Sequence, residues 1–292
     1  MTILEAKKQL LHSLLNIYDS RESGAIADLV LENITGLTRI DRVIHKNEML
    51  SPEKTALLEK YTGELIGHKP IQYVLEEAWF SGMKFYVNEY VLIPRPETEE
   101  LVHWLIEDAE NEKNKNQYPI SKSKNILDVG TGSGCIAISL KKKLLQTEIV
   151  ACDISQYALE VAKRNAMLLG TTINFLQLDF LKNNTTDALS VFDYIISNPP
   201  YIPLKDKITM KQHVVEYEPH QALFVPDADP LVFYRAIANF AVRKLSADGK
   251  IFVELHEELA TSVAQLFLSL GFKATEIKKD IQGKDRMMKI TR

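Results

Sequence analysis

One stretch of this 292-residue chain constrains its fold more than any other. The short apolar run Asn125-Ile126-Leu127-Asp128-Val129 leads into Gly130-Thr131-Gly132-Ser133-Gly134, and then into the apolar segment from Cys135 to Leu145. An apolar run that ends in clustered glycines and passes into a longer apolar segment reads as strand, tight turn and helix. Ile149-Val150-Ala151-Cys152 is a second such run, closed by Asp153, with Ser155 placed to cap a following helix whose face carries Ala158, Leu159, Ala162, Ala166 and Leu169. The glycines let the backbone turn sharply and press against a ligand beside a helix N-terminus. A carboxylate ending the next strand accepts both hydroxyls of an adenosine ribose. Asp179-Phe180, after a third run from Ile173 to Leu178, would hold an adenine between a polar edge and an aromatic face. The spacing is GxGxG rather than GxGxxG, which disfavours a nicotinamide dinucleotide, and no Lys-Ser/Thr follows as a phosphate-binding loop requires.

Further candidate strands, Asp193 to Ser197 and Ile251 to Leu255, continue the alternation of strand and helix. That alternation predicts an α/β domain built on a parallel, doubly wound sheet, with ligands at the carboxyl ends of its strands. Upstream, residues 1 to about 75 read as helical: Ile3, Leu4, Leu10, Leu11, Leu14, Leu15 and Tyr18 recur at helical spacing. Ser51-Pro52-Glu53 is a helix start, Leu57, Leu58, Tyr61 and Leu65 form its apolar stripe, and Gly67 a stop. Trp79-Phe80, Ser81-Gly82 and Met83 to Val87 predict a hairpin, expected to bridge two domains. A helix is expected from Thr98 to about Ala109, then a mobile polar surface loop from Asn111 to Asn125. The domains expected are therefore a helical module over 1–75, a hairpin linker over 76–93 and an α/β domain over 94–292. The long connection from Ile202 to Asp229 reads as irregular and is expected to shape a substrate entrance, near Glu218 and Pro219.

At the end of the fourth strand stands Asn198-Pro199-Pro200-Tyr201. An amide nitrogen is a poor nucleophile because its lone pair is delocalised into the carbonyl. Two fixed acceptors, the Asn198 side-chain oxygen and the Pro199 carbonyl, would each take one N–H, turn the nitrogen and release it in part from resonance. The prolines hold that carbonyl rigidly and offer no competing N–H. Tyr201 would lay its ring on the planar group and near a positive sulfonium, a cation–π contact. This combination predicts transfer of a methyl group from S-adenosylmethionine to a planar amide-type nitrogen by orientation and proximity.

Composition excludes other classes. The net charge of −4 and pI near 6.0 disfavour a protein that binds by neutralising many phosphates. Up to Leu92 there are 10 Lys/Arg against 13 Asp/Glu, about −3, a poor charge for a DNA reader. Cys135 and Cys152 show neither disulfide nor metal spacing, and no zinc or other metal site is expected. No apolar run approaches the ~18 residues of a membrane helix. The first twenty residues lack a signal-peptide pattern, so a reducing, cytoplasmic setting is the expectation.

Together these residues resemble the protein-(glutamine-N5) methyltransferases of the PrmC/HemK family. The likeness runs from Gly67 to about Arg286. It includes Gly67-His68-Lys69-Pro70-Ile71-Gln72-Tyr73, Leu92-Ile93-Pro94-Arg95-Pro96-Glu97-Thr98-Glu99, the glycine loop, Ser197 to Pro203, and Tyr217 to Leu223. The Arg-Pro-Glu-Thr-Glu segment is the distinctive part, since other amino-methyltransferases with Asn-Pro-Pro-Tyr usually lack it. The resemblance implies a seven-stranded, Rossmann-like class I methyltransferase domain behind a small all-α N-terminal domain. It implies class I peptide chain release factors as substrate, methylated on the glutamine of a Gly-Gly-Gln motif. From charge and hydropathy no nucleic acid or membrane is expected to be required, and a monomer is favoured although the sequence does not fix the oligomeric state. By similarity Gly130, Thr131, Gly132, Ser133, Gly134, Asp153, Phe180 and Asn198 hold the cofactor, while Asn198, Pro199, Pro200 and Tyr201 hold the glutamine; Asp179 joins the cofactor set from its place beside Phe180. Two departures stand out. Glu76 occupies a place where the family usually has glycine, and Glu254-Leu255-His256-Glu257 replaces a Leu-Glu-Ile-Gly-like stretch. Methylation of adenine N6 or guanine N2 is the alternative chemistry for the same four residues, and a catalytically silent module that docks to translation factors is a third reading.

Overall fold

The computed structural model describes residues 1–115, 123–182 and 186–292. The chain divides into two compact units, residues 1–77 with 211–217, and residues 78–210 with 218–292.

The first unit is helical: α1 (Ile3–Leu14), α2 (Ser20–Thr35), α3 (Arg39–Ile44), α4 (Pro52–Ile66) and α5 (Ile71–Leu75). Local chemistry sets their ends. Thr2 and Glu5 form a reciprocal capping box, the Asp19 side chain accepts from the Arg21 and Glu22 amides, and the Ser51 hydroxyl accepts from the Lys54 amide beside Pro52. Leu10, Leu14, Leu31, Leu58 and Leu65 meet in one core. Leu4 and Leu15 share the apolar spacing but are half-exposed at the margin of that stripe. Glu76, after α5, holds a left-handed φ of 54°. Glycine would adopt that conformation without the ~1–2 kcal/mol that a Cβ costs there, a physical reason for glycine at this turn.

A hairpin follows, β1 (Glu77–Phe80) and β2 (Met83–Tyr86), turned by Ser81 and Gly82 at φ 48° and 72°, and from Ala78 it belongs to the second unit. Then α6 runs from Pro96 to Lys115, longer than the expected span ending near Ala109. Its extension is anchored by Glu112, which pairs with Lys250 at 2.6 Å and accepts from the Tyr194 hydroxyl at 2.9 Å. Of the stretch expected as a mobile loop, 111–115 is therefore helix, Asn125 is strand, and 116–122 lies outside the described residues.

Seven strands form the main sheet in the order β10-β11-β9-β6-β3-β4-β5. They are β3 (Asn125–Val129), β4 (Glu148–Asp153), β5 (Asn174–Gln177), β6 (Phe192–Ser197), β9 (Leu245–Glu254), β10 (Ala274–Lys279) and β11 (Asp285–Thr291). The five from β9 to β5 are parallel, as the alternation of strand and helix predicts, while β11 runs antiparallel to β9 and β10 to β11. A short turn between β10 and β11 permits only an antiparallel pair. The edge strand β10 is charged and largely exposed, as edge strands commonly are.

Helices cover both faces. On one lie α6, α7 (Cys135–Lys143) and part of α8 (Gln156–Leu168), built around Leu105, Ile138 and Phe252. On the other, two later helices, Val232–Lys244 and Ala260–Ser269, bury Tyr234, Phe240 and Phe267. The connection from Ile202 to Asp229 is more regular than expected. It contains β7 (Ile202–Pro203) paired in parallel with β8 (Phe224–Val225), a 3₁₀ turn, and two short helices, Gln212–Tyr217 and His220–Leu223.

Candidate active site

Three strands end side by side. Val129 of β3 pairs with Cys152 of β4 on one side and with Ser197 of β6 on the other. The chain therefore leaves the sheet as Gly130, Asp153 and Asn198 at one level, the carboxyl edge where open α/β sheets bind ligands. Hydrogen bonds fix these exits. The Gly130 and Thr131 amides donate to the Cys152 carbonyl at 2.9 and 3.0 Å, and the Ser197 hydroxyl donates to the Val129 carbonyl at 2.7 Å. Gly134, at φ 80°, caps α7 where an added Cβ would lie 3.1 Å from both Ala162 Cβ and Ile138 Cδ1. Asn165 of α8 is wholly buried. It donates to the Tyr86 and Ser133 carbonyls, each at 2.9 Å, and accepts from the Tyr86 amide at 2.7 Å, which ties the hairpin to the glycine loop.

Above this edge is a cavity of about 470 Å³, a volume suited to a nucleoside-sized ligand. Gly130, Thr131, Gly132, Ser133, Asp153, Asp179 and Phe180 line one part of it, and Asn198, Pro199 and Pro200 another. Of the residues singled out from sequence, Gly134 and Tyr201 are not on that wall. The Asp153 carboxylate accepts from the Gly132 amide (Oδ2, 2.9 Å) and the Ser155 amide (Oδ1, 2.9 Å) while facing the cavity. Burial pushes its carboxyl above the ordinary range, opposed by those amides. Lone pairs left on both oxygens suit a vicinal diol, and the glycine backbone suits close approach, so the residues present fit an adenosine-containing cofactor. Phe180 stands edge-on to Phe240, centroids 5.2 Å apart, and is mostly core.

Beneath the loop Asp128 is fully buried, accepts from the Thr131 hydroxyl at 2.6 Å, and is raised by burial to about 7. Burial pushes the Cys135 thiol up to about 12 and raises Cys152 as well, so neither is a thiolate nucleophile at neutral pH. Among the described residues no three His, Cys, Asp or Glu side chains are grouped to hold a metal ion.

Around Asn198 the structure adds partners that the sequence did not reveal. The Asn198 amide Nδ2 donates to Thr98 Oγ1 at 3.0 Å, and the Thr98 hydroxyl donates to Glu254 Oε2 at 2.6 Å. The Tyr201 hydroxyl donates to Glu254 Oε1 at 3.0 Å, and burial raises its phenol. Tyr201, partly buried against the core, thereby also anchors Glu254 through its hydroxyl. Glu218, expected near the entrance, is buried. Its carboxylate accepts from Arg95 Nη2 at 2.5 Å and from the Ile93 amide at 3.2 Å, while the adjacent Pro219, Gln221 and Ala222 line the cavity. Arg95 and Thr98 belong to the Arg-Pro-Glu-Thr-Glu segment, which the sequence marked as distinctive without giving the reason.

Known proteins resemble the chain throughout. Residues 5–75 match the family model of the PrmC N-terminal domain, and residues 112–221 that of the methyltransferase small domain. The release factor glutamine methyltransferase of Flavobacterium psychrophilum is 43% identical over 292 residues, 99% of this chain and 99% of that protein. The release factor glutamine methyltransferase of Bacteroides thetaiotaomicron is 36% identical over 280 residues, 96% of each. Among solved structures, the hMettl16 catalytic domain in complex with the MAT2A 3′UTR hairpin 6 is similar with a TM-score of 0.54, covering 82% of this chain and 81% of that one. At 15% identity that likeness concerns the fold alone.

Proposed function

This chain belongs to the release factor glutamine methyltransferases, the PrmC/HemK family, and from that premise we propose that it methylates the side-chain amide nitrogen, N5, of the glutamine in the Gly-Gly-Gln motif of class I peptide chain release factors. It is an S-adenosylmethionine-dependent methyltransferase. The observation that carries the substrate reading is the placement of Asn198-Pro199 on the same cavity wall as the glycine loop and Asp153.

When bound, the cofactor supplies a methyl group on a positively charged sulfur. Gly130 to Ser133 and Asp153 would hold its amino-acid and ribose parts, with Gly134 closing the turn onto α7 and Asp179 and Phe180 at the adenine. Pro199 and Pro200 restrict their own backbone and keep the Pro199 carbonyl in place. That carbonyl and the Asn198 Oδ1 would each accept one N–H of the glutamine carboxamide, aiming the nitrogen's lone pair along the line of attack. Correct orientation of two reactants accounts for several kcal/mol of a barrier, so no general base is required for the attack. The methylated nitrogen is acidic enough to lose its proton to water. Tyr201 acts through Glu254 and is a positioning residue.

Residues 1–75 are proposed to dock the release factor and 76–93 to link the domains. A translation factor as substrate sets the reaction in the cytoplasm, with no nucleic acid needed. Reaction of the protein with labelled cofactor and release factor, followed by mass spectrometry, is expected to locate one added methyl on that glutamine. Transfer to nucleic acid alone would overturn the reading. Asn198→Ala is expected to lower turnover by at least about 10²-fold, the scale for deleting one preorganised hydrogen bond. Unchanged turnover would refute the assigned role.

A further inference from the structure

The connection between Asn198 and Glu254 has a direction. Thr98 and Glu254 are each 2% exposed, and they lie 156 residues apart in sequence. An ionised carboxylate accepts hydrogen bonds and donates none. Here both its oxygens accept, one from Thr98 and one from Tyr201. Thr98 has a single hydroxyl hydrogen, and that hydrogen points to Glu254. Only its lone pairs remain for Asn198, and only the Nδ2 end of Asn198 can donate to them. The carboxamide is thereby prevented from turning over, and Oδ1 is the end left for the cavity that Asn198 lines.

We propose that the buried Glu254–Thr98 pair fixes the polarity of the Asn198 carboxamide and so makes the site select a carboxamide guest over a carboxylate one. This rests on the reading of Asn198 and Pro199 as acceptors for a glutamine. A glutamine brings two N–H donors to two oxygens. A glutamate brings only oxygens, so four acceptors meet with no proton between them. Sites built to hydrogen-bond a substrate group reject the isostere that leaves buried polar atoms unpaired. Thr98 and Glu254 are therefore positioning and specificity residues, distinct from the groups that touch the substrate. The surroundings hold Glu254 in this role. Burial pushes the Glu254 carboxyl above its ordinary value and Glu97 adds to the rise, while the hydroxyls of Thr98 and Tyr201, both donating to it, and the charge of Arg286 favour the carboxylate. Tyr234 donates to the Glu254 main-chain carbonyl at 3.1 Å, and His256 faces Tyr201 edge-on.

Two variants disturb the relay differently. Thr98→Val keeps the shape but removes the acceptor for Asn198 Nδ2, which frees the carboxamide to rotate. Glu254→Gln goes further. The Tyr201 hydroxyl still donates to the oxygen of the new side chain, so its amide nitrogen falls opposite Thr98. Thr98 then accepts from residue 254 and donates to Asn198 Oδ1, turning Nδ2 toward the cavity.

The test uses the full chain, a release factor, and the same factor with glutamate in place of the target glutamine as competitor. For the native protein, glutamine turnover is expected with at least about 10²-fold weaker binding of the glutamate factor. In Thr98→Val and Glu254→Gln, kcat should fall about 10- to 100-fold while the KM for cofactor stays constant, and the discrimination against glutamate should narrow at least about 10-fold. Thr98→Ser should restore both. A merely structural loss would lower kcat without narrowing that ratio. Native-like discrimination in both folded variants overturns the inference. Absence of glutamine methylation by the native protein overturns instead the functional reading beneath it.

Discussion

Replacing Asp128 by Asn is expected to change how stability depends on pH. Asp128 ends two residues before the first glycine of the loop, wholly buried, with the Thr131 hydroxyl as donor at 2.6 Å. Burial is the largest influence and holds its carboxyl at about 7 in the folded chain, against 3.8 for an unperturbed aspartate; the nearby Asp153 adds to the rise. Between those two values the folded state binds a proton that the unfolded state has released. Stability contributed by this group is therefore complete below pH ~4, declines as pH rises, and is lost once pH passes about 7. At 1.36 kcal/mol per pH unit the full difference is roughly 4 kcal/mol, and the part that falls between pH 5 and 8 roughly 3 kcal/mol. Asparagine has the same shape, still accepts from Thr131, and does not titrate. Denaturant titrations of the ligand-free protein at pH 5, 6.5 and 8, compared at constant m-value, read the difference directly. Relative to the native chain, Asp128→Asn should gain roughly 3 kcal/mol across that interval. Parallel stability curves for the two proteins would refute the assignment of a protonated, desolvated carboxyl at this position.

Asp153→Ala removes the carboxylate that two amides aim into the cavity, and cofactor affinity measured by calorimetry should weaken at least about 10-fold, as expected for charged hydrogen bonds of roughly 1.5–3 kcal/mol. Gly134→Ala combines a left-handed φ of 80° with a Cβ pressed to 3.1 Å from Ala162 and Ile138, and should cost at least about 2 kcal/mol in chemical denaturation. Arg95→Met strips the buried Glu218 of its cation and should destabilise by about 3 kcal/mol, near the low end for a broken buried pair because Arg95 is partly exposed. A loss below about 1 kcal/mol would show that the Ile93 amide alone suffices for Glu218.

How far the sequence is legible follows the range of the forces involved. The glycine loop, the cap at Ser155, the Ser51-Pro52 start and the Ser81-Gly82 turn were readable because each is settled within a few residues, by φ, by a single side-chain acceptor or by periodicity. The limits of α6 were not, because Glu112 finds Lys250 and Tyr194 far along the chain. Nor were the two antiparallel strands at the C-terminal edge, where β10 is too polar and exposed to show the pattern of a buried strand. Tyr201 illustrates a long-range partner of another kind. Its ring chemistry suggests a contact with substrate, and the fold adds what its neighbours in sequence do not show, a hydroxyl that reaches Glu254 across 53 residues.

What the sequence by itself determined is the type of chemistry. Local backbone geometry and residue identity at Gly130 to Gly134, Asp153 and Asn198-Pro199 suffice to name a nucleoside-bearing methyl donor and an amide acceptor. What only the tertiary structure decided is which residues orient those groups. Asn198 meets Thr98 across 100 residues, Thr98 meets Glu254 across 156, and Arg95 meets Glu218 across 123. Those meetings follow from the order in which strands assemble into the sheet. A hydrogen bond acts over about 3 Å, so its partner is fixed by where the fold carries each side chain and by nothing in the residues next to it.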